Sequence, residues 1–107
     1  MLSQQNCEPC KSGVPALSPT EIQPLIAELG SDWQVVKNHH LYRKFNFKNF
    51  VDALVFTNKI GAIAEDQHHH PNIALTWGEV EVKIYTHKIN GLQKADFVLA
   101  AKISNLI

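Results

Sequence analysis

Three segments of the chain carry apolar residues at the spacing of an α-helix. The first, residues 18–30, opens with Ser18 and Glu21 at capping-box spacing and stops at Gly30. The second, residues 49–66, is the longest, and its predicted buried stripe consists of Phe50, Ala53, Leu54, Thr57, Ile60, Gly61 and Ala64. The third, residues 92–107, places on one helical face Leu99, Ile103 and Leu106.

Two other regions alternate between apolar and polar residues, as strands do. Residues 33–37 and 41–47 flank a polar break at residues 38–40, which predicts one hairpin. Between residues 71 and 85 the apolar positions recur every second residue, and the chain is predicted to turn near Gly78. The apolar positions of this second hairpin are Ile73, Leu75, Trp77, Val80, Val82 and Ile84.

The predicted order of elements is α-β-β-α-β-β-α, without the pattern of a parallel crossover. Two hairpins and three helices favour the α+β class: a four-stranded antiparallel sheet with three helices packed on one face. We expect a single domain over residues 18–107, preceded by an irregular N-terminal arm over residues 1–17 in which Pro9, Gly13 and Pro15 interrupt any periodicity. An exposed edge of such a sheet favours pairing with a second copy, so a homodimer is predicted.

Composition narrows the classes of function. The 107 residues are 45% hydrophobic and 19% charged, and ten basic residues balance ten acidic ones. A net charge of zero gives no support to nucleic-acid binding by phosphate neutralisation. No apolar stretch is long enough for a membrane span, and the first residues lack the pattern of a secretory signal, so a cytoplasmic protein is predicted. Cys7 and Cys10 lie in a polar tail, and we interpret them as reduced thiols rather than half of a zinc or redox site.

Half of the six histidines lie in or next to one short stretch, Glu65 to Pro71, which reads EDQHHHP. Counting back from the turn near Gly78 places His70 roughly opposite residues 85–87, so His87 returns towards the triple histidine. Asp96, in the first turn of the last predicted helix, is close enough in sequence to reach the same end of the sheet. The hairpin therefore predicts a cluster formed by His69, His70, His87 and Asp96.

Three interpretations of this cluster compete. A metal site is one, although the helical His spacing typical of zinc enzymes is absent. Solvated loop histidines without a role are the second. Acid–base catalysis is the third, because imidazoles exchange protons near neutral pH. No serine elbow, nearby cysteine or glycine-rich phosphate loop accompanies the histidines, which leaves proton transfer on a small substrate, such as an elimination or isomerisation.

A longer gapped pattern is more specific than the histidine run. Glu65, then His69-His70-Pro71, Trp77, His87 and Asp96 occur at spacings that resemble the signature of the pterin-4a-carbinolamine dehydratases. The resemblance extends to THKINGLQKADFVLAAKI, to Trp33 and to the arm segment CEPCKSGVPALS, and so covers nearly the whole chain.

The resemblance implies a hydro-lyase that dehydrates 4a-hydroxytetrahydrobiopterin to quinonoid dihydropterin, without a metal or any cofactor, and so recycles the pterin of aromatic amino acid hydroxylases. It implies that the catalytic residues are His69, His70 and His87, and that the substrate-binding residues are Asp96, Glu65 and Trp33. For Trp33, core packing is an equal alternative. The family's fold is a four-stranded antiparallel sheet backed by three helices, and its members form dimers or tetramers. The alternative function is a non-catalytic dimerisation protein of the same fold.

Overall fold

A computed structural model describes residues 1–8 and 14–107 of the chain. These residues form three helices, α1 to α3, and four strands, β1 to β4, in the predicted order. Their bounds are α1 Pro19–Leu29, β1 Gln34–Val36, β2 His40–Asn46, α2 Phe50–Gln67, β3 Asn72–Leu75, β4 Glu79–Ile84 and α3 Lys94–Ser104. Single 3₁₀ turns lie at Leu2–Gln4 and His87–Ile89. None of the helices within the described ranges is long and apolar enough to cross a bilayer.

The sheet is antiparallel throughout, with the strand order β1-β2-β4-β3. Both predicted hairpins are confirmed. In the first, Lys37 and Asn38 have φ of 53° and 55°, the left-handed conformation of a type I′ turn. In the second, Leu75 pairs with Val80, so the chain turns around residues 76–79 as the alternation predicts. The two long central strands, β2 and β4, join the hairpins.

One face of the sheet is apolar and packs against the helices, as predicted. Val80, Val82 and Ile84 of β4 are fully buried there. The alternating residues Glu79, Glu81 and Lys83 lie on the opposite face and are only partly buried. The strict alternation along β4 thus reflects one packed and one open face, the usual arrangement of an antiparallel α+β sheet.

Helix α2 begins as the sequence predicts, but its buried stripe matches the predicted one only in part. Asn49 caps it by accepting a bond from the Asp52 N–H at 2.8 Å. Two predicted core residues, Phe50 and Leu54, are 43% and 39% exposed, so that part of the prediction is wrong. The residues that α2 buries are Ala53, Phe56, Ile60 and Ala64.

Aromatic packing explains the rotation of α2. The Phe56 ring lies 4.6 Å from the Phe45 ring and 5.1 Å from the Phe47 ring, centroid to centroid. Both partners belong to the end of the first hairpin, so the contact that orients α2 is formed with residues distant in sequence. A helix whose apolar residues exceed one stripe is oriented by such contacts rather than by its own periodicity.

Helix α3 lies at the centre of the protein, and the N-terminal residues cover part of it. Seven of its residues are buried, which is typical of a helix enclosed on most sides. The arm predicted to be irregular contains the 3₁₀ turn Leu2–Gln4, with Leu2 in the core. Lys102 Nζ donates to the Ser3 carbonyl at 2.9 Å. Local sequence did not indicate this turn, because contacts with a distant helix stabilise it.

The one described cysteine of the arm is a protonated thiol. Burial raises the pKa of Cys7 to about 11, although the nearby charge of Lys102 acts in the opposite direction. Its Sγ–H donates to the carbonyl of Ala95 at 3.4 Å. The reduced state predicted for Cys7 agrees with this environment, whereas Cys10, Pro9 and Gly13 lie outside the described residues.

Candidate active site

Asp96 anchors the predicted cluster from the first turn of α3. Its side chain is fully buried, and both carboxylate oxygens are engaged. Oδ2 accepts bonds from the Thr86 hydroxyl and from the Gln93 N–H, each at 2.8 Å. Oδ1 lies 2.6 Å from His69 Nε2. A buried carboxylate with several hydrogen-bond donors is well satisfied. Through these bonds Asp96 connects the start of α3 with the end of β4 and with the loop that carries His69.

His69 reaches Asp96 because α2 ends in a tight reversal just before it. His68 adopts φ 53°, the left-handed conformation that commonly ends helices, and the His69 N–H still donates to the Ala64 carbonyl at 3.2 Å. Pro71 then restricts the preceding residue to an extended backbone. The His69 ring is therefore held at the entrance to β3, and only 17% of its side chain is exposed.

The bond with Asp96 defines the tautomer of neutral His69. A carboxylate accepts and does not donate, so Nε2 carries the hydrogen and Nδ1 is the basic nitrogen. This arrangement, an imidazole oriented by a buried carboxylate, is typical of histidines that accept or deliver a proton.

The second histidine of the motif is held by a different carboxylate. His70 Nε2 contacts Glu65 Oε2, and both side chains are mostly exposed. The hydrogen bond with His70 lowers the pKa of Glu65, and the positive charge of a protonated His70 acts in the same direction. Glu65 thus orients His70 at the surface of the cluster, on the solvent side of the His69–Asp96 pair.

His87 follows the end of β4 on the short 3₁₀ turn. In the β3–β4 register, Asn72 pairs with Lys83. Counting three residues back from Asn72 and three forward from Lys83 places His69 opposite Thr86. Thr86 is the residue that Asp96 binds, and it immediately precedes His87. The structure therefore joins the His69 and His87 segments through one carboxylate, as the hairpin geometry predicts.

Asp96 and Trp33 are both enclosed. The Asp96 carboxylate contacts His69 and Thr86, so it holds the His69 ring, and the substrate-binding role that the resemblance implies for Asp96 stays a prediction. The Trp33 ring is only 3% exposed, its Nε1–H donates to Ser104 Oγ at 2.9 Å, and Ser104 lies about 12 Å from Asp96 along α3. Trp33 therefore follows the core-packing alternative.

Thr86 was missed by the sequence analysis, although a signal for it exists. Continuing the alternation Val80, Val82, Ile84 by one step places Thr86 on the buried face. A buried hydroxyl requires a partner, and Asp96 is that partner.

His69 and His70 each bind a separate carboxylate and are not arranged around one common metal position. Within residues 1–8 and 14–107, no three His, Cys, Asp or Glu side chains are grouped as metal ligands. His69 and Asp96 form one pair, and His70 and Glu65 form another. The arrangement is suited to proton transfer, since one imidazole is enclosed and oriented while others face solvent.

Comparisons with known proteins identify the family of the chain. The family model described as pterin 4 alpha carbinolamine dehydratase matches residues 15–106. A Rickettsia canadensis protein with that enzyme's name is 55% identical over 107 residues, covering 100% of this chain and 98% of the relative. A Rubrobacter xylanophilus protein of the same name is 49% identical, with 98% and 97% coverage.

A solved structure shares the fold as well. The Brucella melitensis protein described as a transcriptional coactivator/pterin dehydratase superposes with a TM-score of 0.77 at 28% identity, over 85% of this chain and 97% of that one. The family match and the two bacterial relatives span nearly the whole chain, including the region that holds His69, His87 and Asp96. The chain belongs to the pterin 4 alpha carbinolamine dehydratase family.

Proposed function

We propose that the protein is a hydro-lyase that dehydrates 4a-hydroxytetrahydrobiopterin to quinonoid dihydropterin and water. The observation that carries the proposal is the enclosed Asp96 carboxylate, which orients the His69 imidazole and binds Thr86 beside His87. Family membership supplies the substrate class, because the relatives bear the name of this dehydratase.

The reaction requires one proton to be delivered and one to be removed. The C4a–O bond breaks as the leaving hydroxyl receives a proton and departs as water, and the N5 proton is lost as the C4a–N5 double bond forms. His69 and His87 are the acid–base pair in our proposal. Each turnover leaves the acid without its proton and the base with one, and proton exchange with water restores both. Groups of this type contribute about 10²–10⁴-fold to a rate.

His70 orients the pterin in this mechanism. Its ring is more exposed than that of His69, and its bond with Glu65 restrains it at the edge of the cluster. Because that bond lowers the pKa of Glu65, a lower pH is needed to protonate Glu65 and so weaken its hold on His70. Substrate orientation, rather than proton transfer, is the role that suits an exposed and restrained imidazole.

The proposed chemistry needs no metal or cofactor beyond the pterin itself. We therefore expect turnover to change by less than about twofold after exhaustive dialysis against a chelator, because no step uses a Lewis acid. The measurement is the dehydration rate before and after dialysis, with zinc added back to half of the treated sample. Activity lost on dialysis and restored by zinc would contradict this expectation.

We also propose that this reaction recycles the pterin of an aromatic amino acid hydroxylase and that the protein acts in the cytoplasm. The description of the Brucella melitensis protein also calls it a transcriptional coactivator. Exposed apolar residues on α2, Phe50, Val51, Leu54 and Val55, are the observation that favours a second, interaction role.

We further propose that the protein is a homodimer. Strands β1 and β3 are the two edges of the sheet, and each has an unpaired side able to accept a second copy. Light scattering coupled to size-exclusion chromatography should give about twice, or for a tetramer about four times, the chain mass of 12.0 kDa. A particle of 12.0 kDa at micromolar concentration would exclude both assemblies.

The assay that tests the proposed function follows dehydration spectrophotometrically, with 4a-hydroxytetrahydropterin generated in place by a hydroxylase. Folded wild-type protein should accelerate the reaction above its uncatalysed rate. If folded protein leaves that rate unchanged, the interaction role becomes the better account of the fold.

A further inference from the structure

A chain of contacting rings runs from His87 through Tyr85 to His39. The Tyr85 ring contacts the His87 ring with centroids 4.3 Å apart and planes at 74°, an edge-to-face arrangement. Tyr85 also contacts the His39 ring, at 4.6 Å between centroids. Tyr85 therefore connects His87, in the turn after β4, with His39, in the turn between β1 and β2.

A hydrogen bond joins the same two turns. His39 Nε2 lies 2.7 Å from Asn90 Oδ1, and because an amide oxygen only accepts, Nε2–H is the donor. Asn90 ends the 3₁₀ turn that begins at His87, with φ 51°, and its N–H donates to the His87 carbonyl at 3.2 Å. His39 thus holds the far end of the turn that carries His87, while Tyr85 contacts the imidazole.

The position of His39 is set by the first hairpin. Leu41 pairs with Ile84, so His40 lies opposite Tyr85 at the end of the ladder. His40 Nδ1 lies 3.0 Å from His39 Nδ1. Because Nε2 carries the hydrogen of the neutral His39 ring, His39 Nδ1 accepts and His40 Nδ1–H donates. Partial burial, followed by the charge of Lys83, lowers the pKa of His40.

His87 has few other restraints. Its side chain is exposed, and the turn beneath it is three residues long. An unrestrained side chain distributes among about three staggered χ1 rotamers. A proton-transfer group must instead stay within hydrogen-bond reach of the reacting atom, and a displacement of about 1 Å lowers a rate by up to about 10²-fold.

We propose that Tyr85 is a positioning residue for His87, and that His39 supports it by contacting Tyr85 and binding Asn90. The proposal deepens the proposed dehydratase function and rests on it. Tyr85 acts through ring contact rather than through its hydroxyl, so phenylalanine fulfils the same role. Neither Tyr85 nor His39 is assigned contact with the pterin.

The test compares Tyr85→Leu with Tyr85→Phe and with Tyr42→Leu. Tyr42 lies on the same open face of the sheet, and its hydroxyl donates to Glu81 Oε1 at 2.5 Å, so it is a matched control outside the cluster. We expect Tyr85→Leu to lower kcat about tenfold with KM changed less than about twofold, because binding groups remain in place. Tyr85→Phe and Tyr42→Leu should stay within about twofold of wild type.

A double-mutant cycle shows whether Tyr85 acts through His87. If it does, Tyr85→Leu combined with His87→Ala turns over no more slowly than His87→Ala alone, within about twofold. An additive loss of about tenfold in the double variant would overturn the proposal, as would wild-type kcat in folded Tyr85→Leu. If Tyr85→Leu fails to fold, His39→Ala replaces it, with an expected loss of about threefold that also disappears in the His87→Ala background.

A proton NMR measurement separates this inference from the proposed function. The ring current of Tyr85 shifts the imidazole carbon-bound protons of His87, so these resonances should move in Tyr85→Leu and remain near their wild-type positions in Tyr85→Phe. Wild-type protein without dehydratase activity removes the proposed function, and the inference with it. Active wild-type protein whose His87 resonances are unchanged in Tyr85→Leu overturns the inference alone.

Discussion

His69→Ala is expected to lower kcat about 10²–10⁴-fold, the range typical of losing a positioned general acid or base. The His69 ring is the best-oriented imidazole of the site, because its Nε2 donates to the buried Asp96 carboxylate and its Nδ1 is then the basic nitrogen. Alanine removes the proton-transfer group and leaves the His70–Glu65 pair in place. KM should therefore change much less than kcat.

The matched control for this variant is His68→Asn. His68 is the adjacent histidine, is exposed, and adopts φ 53°, a conformation that asparagine tolerates well. The measurement is kcat from steady-state kinetics on both variants, with circular dichroism to verify that each is folded. A comparable loss of kcat in the two variants would contradict the assignment of His69 and indicate a general effect on the loop.

Asp96→Asn is expected to lower kcat about 10²-fold while the fold is retained. The substituted amide has one oxygen, and Thr86 and Gln93 both donate to the same carboxylate oxygen in the native site. The amide oxygen therefore faces these donors and the NH₂ group faces His69 Nε2. Neutral His69 must then place its hydrogen on Nδ1, so the nitrogen that acts as a base is lost.

Nitrogen chemical shifts of His69 measure the tautomer directly, alongside kcat. We expect the hydrogen to move from Nε2 to Nδ1 and the free energy of unfolding to fall by about 1–3 kcal/mol, because a charged hydrogen-bond acceptor becomes neutral. Asp32→Asn is the control, since the Asp32 side chain is 78% exposed and lies 3.9 Å from Arg43. An unchanged tautomer with wild-type kcat would show that Asp96 does not orient His69.

The sequence alone was sufficient to predict the order of elements and the meeting of His69 with Asp96. Hairpin register is determined by strict alternation and a short turn, so the predicted turn near Gly78 was enough to place residues 85–87, and with them His87, opposite His70. The extended backbone that Pro71 imposes on His70 is a local effect and is visible in a single sequence, whereas the αL conformation of His68 was not predicted.

Features set by long-range packing were not predictable in the same way. Helix α2 has more apolar positions than one face needs, so only its contact with the end of the first hairpin determined that Phe50 and Leu54 face outward. The Leu2–Gln4 turn forms against a distant helix. The packing of Tyr85 between His39 and His87 depends on how two loops from separate hairpins meet, which no spacing rule expresses.

The dehydration rate of enzymatically generated 4a-hydroxytetrahydropterin, measured with and without the purified protein, tests the central claim most directly. Our account predicts a rate that increases in proportion to the concentration of folded protein and returns close to the uncatalysed value when His69→Ala replaces wild type. A folded wild-type protein that leaves the rate at its uncatalysed value would contradict the account.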